Sequence, residues 1–147
     1  MPLIQRILSV FSSPEPAQLP EPDAKLALGA LMVRIAKSDS SYHIEEIQRI
    51  DRILARANAI GPIDAAKMRA TCEQLEAQAP HTERFAALIR ETVSREGRMK
   101  TLRALWAVLL SDGIERPEET AELEQTCAAL GLSPDDSAAA RASVETE

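Results

Sequence analysis

The sequence predicts an all-α fold: a compact bundle of about seven helices built from two pseudo-repeated helix-turn-helix units. Three observations point there. Aromatic residues make up only 3% of the chain while Ala, Leu, Glu and Arg dominate, a composition that favours helix over strand. From Asp23 onward apolar residues recur at helical spacing in one segment after another, with no convincing strand between them. The stretch "SDSSYHIEE" (38–46) also returns as "SDGIERPEE" (111–119), repeating Ser-Asp and Glu-Glu at an offset of 73 residues. At 147 residues, 45% apolar and 27% charged, the chain has the size and make-up of one globular domain. A domain of that length buries roughly two-thirds of its unfolded surface.

In chain order, residues 3–11 form a short amphipathic segment with Leu3, Ile4, Ile7, Leu8 and Phe11 at helical spacing. Docking on the domain's own surface suits it, and its lone Arg6 gives a membrane contact by residues 3–11 little electrostatic help. "SSPEPAQLPEP" follows with four prolines, an extended linker, so residues 1–22 precede a helical domain of residues 23–147. "DAKLALGALMVRIAKSD" is apolar almost all round between Leu26 and Ala36, which marks a central buried helix. "HIEEIQRIDRILARAN" places Ile44, Ile47, Ile50, Ile53, Leu54 and Ala57 on its inward face, with Asn58 closing it in the left-handed conformation and Gly61-Pro62 preventing continuation. A third helix covers about 64–78. A fourth runs from Thr82 to Val93 and buries Phe85, Leu88, Ile89 and Val93.

"GRMKTLRALWAVLLSDG" has the character of the first core helix, burying Met99, Leu102, Leu105, Trp106, Val108 and Leu109. "RPEETAELEQTCAALG" has that of the second, with Pro117 at a first helical position and Gly131 as its stop. The last helix starts at Ser133, with Asp136 as its capping partner. The offset of 73 extends through both units, pairing Met32 with Leu105, Ile50 with Leu123, and Leu54 with Cys127. Packing the two buried helices about a rough two-fold axis would bring the two acidic turns together.

Several function classes are disfavoured. A net charge of −6 and a pI near 5.0 argue against nucleic-acid binding, which needs clustered cations. The one basic cluster, Arg95, Arg98, Lys100 and Arg103, reads as a solvated helix entry. Cys72 and Cys127 sit among Ala and Leu without metal spacing, so both read as buried reduced thiols in a cytoplasmic protein. The five glycines are scattered, and none forms a loop to hold the phosphate of an organic cofactor. His43 reads as a cap or solvent-facing residue and His81 as an exposed loop residue; no catalytic constellation accompanies either.

The acidic turns admit two explanations. As caps, Glu46 and Glu119 sit three residues after His43 and Arg116, where a carboxylate can reach back to the cap N–H and complement the helix dipole. As ligands, Asp39 and Glu46 in one turn and Asp112 and Glu119 in the other supply hard oxygen donors suited to Ca²⁺ or Mg²⁺, with turn carbonyls adding more. Glu45, Glu115 and Glu118 are auxiliary candidates. Four clustered carboxylates repel unless a cation or protons neutralise them.

"RFAALI" (84–89), "ALWAVLLSDG" (104–113) and "EETAELEQTCAALGLS" (118–133) resemble the closing segments of the TerB-like tellurite-resistance family. The resemblance spans about residues 24–140. It implies an all-helical cytoplasmic domain linked to stress or tellurite resistance, with Asp39, Glu46, Asp112 and Glu119 as divalent-metal ligands. The chain differs from that pattern at Ser40, where the family has Gly, at Tyr42-His43, at Glu115 and at Arg116, a cation able to neutralise the carboxylates without metal. Three functions follow: a non-catalytic module that binds a divalent cation and a protein partner, a metal-free protein–protein interaction domain, or a metal-dependent hydrolase. The first is favoured.

Overall fold

The computed structural model describes residues 23–79 and 81–146; the amphipathic segment 3–11 and its linker lie outside them. The described residues form seven α-helices and no strand: α1 Ala24–Lys37, α2 Ile44–Asn58, α3 Pro62–Gln78, α4 Thr82–Thr92, α5 Arg95–Leu109, α6 Pro117–Ala129 and α7 Pro134–Glu145.

α1 is the central helix. The Asp23 side chain caps it by accepting from the Leu26 N–H at 2.9 Å, and nine of its 14 residues are buried. It packs against α2, α3, α4, α5 and α6. Each fully buried Leu, Ile, Val or Met there contributes about 1.5–3 kcal/mol of transfer free energy, so α1 anchors the domain. Gly29 is needed for its approach to α3: a Cβ at that position would lie 2.2 Å from Cys72 Sγ.

α5 is the second core helix, capped by Ser94 and burying Leu102, Leu105, Trp106, Val108 and Leu109; Met99 is only half-buried. Trp106 donates from Nε1 to Ser137 Oγ at 3.1 Å and lies beneath the Arg141 guanidinium, so it is core packing that ties α5 to α7. The basic residues at the start of α5 are more than a solvated entry. Arg95 pairs with Asp136 at 2.7 Å, and Arg98 donates to the Leu130 carbonyl at 2.9 Å, closing the end of α6. Ser133 and Asp136 form the expected capping box on α7.

In α4 Phe85 and Ile89 are buried as expected, but Leu88 and the following Val93 are only half-buried. Four further details differ from the sequence expectation. The buried row of α2 is Glu46, Ile50 and Leu54, while Ile44 is 58% exposed and Ala57 is exposed. Four isoleucines spaced by three drift around a helix of 3.6 residues per turn, so the i, i+4 row faces inward instead. The left-handed residue closing α2 is Ala59 (φ 53°); Asn58 stays helical, and its side-chain amide donates to the Leu54 carbonyl. α3 begins at Pro62, earlier than expected, because a first-turn proline has no N–H to miss. α5 begins at Arg95, two residues before the apolar pattern. Both cysteines are buried and unpaired, and burial pushes the thiols up, to about 12 for Cys72 and about 11 for Cys127. Among the described residues no helix is long and apolar enough to cross a membrane.

Candidate metal centre

The two acidic turns share one local geometry. In the first, Ser38 Oγ donates to the Ile35 carbonyl at 2.7 Å, Ser40 N–H to the Lys37 carbonyl at 3.0 Å, and Ser41 N–H to Asp39 Oδ1 at 3.0 Å. In the second, Ser111 Oγ donates to Val108 at 2.7 Å, Gly113 N–H to Leu110 at 3.1 Å, and Ile114 N–H to Asp112 Oδ1 at 3.0 Å. Every one of these residues maps onto its counterpart at the 73-residue offset. Ser40 (φ 69°) even adopts the left-handed backbone of Gly113 (φ 77°), so loss of the glycine did not change the turn. A side chain held there costs on the order of 1 kcal/mol.

The helices that follow place the glutamates. α2 aligns Glu46 above Ile50 and Leu54, and α6 aligns Glu119 above Leu123 and Cys127, each at i, i+4, i+8 on the inward row. Both glutamates are therefore drawn inside with the apolar residues below them, and both are 0% exposed. Neither helix entry has the reciprocal cap seen at α7, and the side chains of His43 and Arg116 make no cap bond.

The structure brings all four predicted ligands to one site, with Arg116 crossing it. Its Nε lies 3.0 Å from Asp39 Oδ2 of the other turn, and its Nη1 lies 2.8 Å from Asp112 Oδ2 and 3.3 Å from Glu119 Oε2. His43 Nε2 lies 3.1 Å from Asp39 Oδ2. His43 and Arg116 occupy equivalent positions, each four residues after its own turn's aspartate. The auxiliary candidates do not join them. Glu45 and Glu118 are exposed, and Glu115 turns outward to pair with Arg141 at 2.6 Å.

The two glutamates are left in a different state from the two aspartates. Neither oxygen of Glu46 meets a donor in hydrogen-bonding geometry, and Glu119 Oε1 meets none either. Burial, then the facing Glu119 carboxyl and the Asp112 charge, push Glu46 up to about 9; the nearby His43 backbone N–H opposes this and is outweighed. Glu119 is also raised, by burial foremost, with Glu46 and Arg116 opposing. Without a cation the pair therefore holds a proton between them at neutral pH. Burial alone would raise Asp39 and Asp112 as well. His43, the Ser41 N–H and Arg116 reverse that for Asp39, and the Ile114 N–H and Arg116 for Asp112, so both fall below the usual range.

Buried carboxylate oxygens without donors are costly unless something neutralises them, and a divalent cation meets that need. The donor set therefore fits a metal. His43, Glu46 and Asp112 each bring one ligand atom within 4.8 Å of the other two. The sequence reading missed His43 as a member of this cluster. The available signal was its alignment with Arg116, which marks the position four after each aspartate as facing that aspartate.

No curated relative and no solved structure matches the chain. A family model does: Tellurite resistance protein TerB, over residues 25–142, which takes in all seven helices up to the last turn of α7 and both acidic turns. The chain belongs to the TerB family.

Proposed function

We propose that this protein is a non-catalytic TerB helical module that holds one divalent cation between its two acidic turns, through Asp39, Glu46, Asp112 and Glu119. It serves a tellurite-resistance or stress-associated role in the cytoplasm, where it engages a protein partner. The observation that carries the metal reading is Glu46: a fully buried carboxylate with both oxygens lacking a donor, facing an equally buried Glu119 oxygen. Charge supports it: four ionised carboxylates face one guanidinium, a net charge of about −3 that a dication reduces to about −1.

The same site favours a second reading by one observation. Arg116 already pairs with three of the four carboxylates, and a shared proton serves the remaining pair, as a metal-free interaction domain would require.

Thermal melting of chelator-stripped protein against a panel of divalent chlorides separates them. Under the metal reading at least one cation raises Tm saturably, by an amount that follows RT ln(1 + [L]/Kd), and Glu46→Gln abolishes the rise. No rise with any cation at millimolar concentration establishes the metal-free reading instead.

A further inference from the structure

The turns' own hydrogen bonds bear on which ion the site takes. Ca²⁺ collects about six to eight oxygens, commonly including backbone carbonyls. Here four carbonyls of the turns are already engaged: Ile35 by Ser38, Lys37 by Ser40, Val108 by Ser111 and Leu110 by Gly113. Those four carbonyls already serve to close the turns.

His43 adds a donor of a different kind. Its ring nitrogen, a Glu46 oxygen and an Asp112 oxygen lie within 4.8 Å of one another. Around a first-row ion bonded at about 2.0–2.2 Å, donors sit about 3–4 Å apart, so closing the trio takes side-chain movement of roughly 1 Å. His43 is free to make it. The Asp39 oxygen it would leave keeps Arg116 Nε at 3.0 Å and so is not stranded. Glu46, fully buried with both oxygens lacking a donor, faces the same space. Imidazole with two carboxylates suits Mn²⁺ or Zn²⁺, whereas Mg²⁺ prefers oxygen and keeps its water.

We propose that the ion is a first-row transition dication of the Mn²⁺ or Zn²⁺ class, bound by His43, Glu46 and Asp112, with Arg116 yielding the Asp112 oxygen it holds at 2.8 Å and neutralising Asp39 and Glu119 alongside. This rests on the cation reading above, names its ion, and sets His43 in the coordination shell in place of Asp39 and Glu119. His43 and Glu46 are one helical turn apart at the start of α2, while Asp112 comes from the other turn, so the ion cross-links the two units.

The test is calorimetric titration of Zn²⁺, Mn²⁺ and Ca²⁺ into the chelator-stripped full chain, its His43→Gln variant and, as a control for surface imidazole, its His81→Gln variant. Zn²⁺ and Mn²⁺ are expected to bind at one site at least about tenfold more tightly than Ca²⁺. His43→Gln should remove that preference, bringing Zn²⁺ and Mn²⁺ affinity down to that of Ca²⁺; His81→Gln should change nothing. If Ca²⁺ binds as tightly as Zn²⁺ and Mn²⁺, or His43→Gln leaves Zn²⁺ affinity intact, this assignment is overturned while the cation site stands. If none of the three ions binds, both fall. Should His43→Gln melt markedly lower, pulsed EPR of the Mn²⁺-loaded wild-type chain decides: coupling of the ion to an imidazole nitrogen that His81→Gln leaves in place supports the assignment, and its absence overturns it.

Discussion

Glu46→Gln isolates the proton that the two glutamates share. Gln has nearly the volume of a protonated Glu and offers an amide N–H to Glu119 Oε1, so packing over Ile50 is kept. The wild-type carboxyl rises from 4.5 to about 9 on folding. A group raised in the folded state contributes stability that is complete below its unfolded value and is lost as pH climbs towards the folded one. At pH 7 the gap of about 2.5 units above the unfolded value corresponds to an upper bound of about 3.5 kcal/mol, at roughly 1.4 kcal/mol per unit. Glutamine carries no such penalty. In chelator, urea unfolding followed by far-UV circular dichroism should find the variant more stable than wild type by up to about 3.5 kcal/mol at pH 7. Near pH 5 the difference should shrink to under about 1 kcal/mol. A variant that is less stable at both pH values, or whose difference does not change with pH, would refute the shared-proton account.

Two further expectations concern the frame that positions the site. Ser40→Gly relieves a left-handed non-glycine residue in the first turn and should stabilise by about 0.5–1 kcal/mol in urea, without altering cation affinity; a loss of stability would contradict the strain. Gly29→Ala forces a methyl against Cys72 Sγ and should cost at least about 1–3 kcal/mol, of which Cys72→Ala in the same chain recovers a large part. If the double variant melts no higher than Gly29→Ala alone, the α1–α3 contact is not the cause.

Much of this architecture was legible because apolar spacing and helix punctuation are local. Leu26 to Ala36 and Leu102 to Leu109 read correctly as buried helices, and Pro117, Gly131 and the Ser133–Asp136 cap fell where helix-end chemistry puts them. The offset of 73 marked the two acidic turns, and the resemblance to the family singled out Asp39, Glu46, Asp112 and Glu119 within them. The inward turn of Glu46 was less so, because a charged residue is a poor guess for a core row and the isoleucines of α2 pointed to a neighbouring face. Ser40 was read as a lost glycine, yet the hydrogen bonds of Ser38 and Asp39 hold the same backbone without one. The reach of Arg116 across to Asp39 depends on how two distant turns are set against each other, which no local pattern encodes. The same holds for Arg34, whose guanidinium joins α1 to Glu76, the Ala79 carbonyl and Thr82.

The most direct test of the central claim is anomalous diffraction from crystals of the chelator-stripped protein soaked in Mn²⁺. One ion per chain is expected between the two turns, about 2.0–2.2 Å from a Glu46 carboxylate oxygen, with Asp112 in its coordination sphere. An anomalous map with no peak there, and the Glu46–Glu119 pair unchanged beside Arg116, would contradict it.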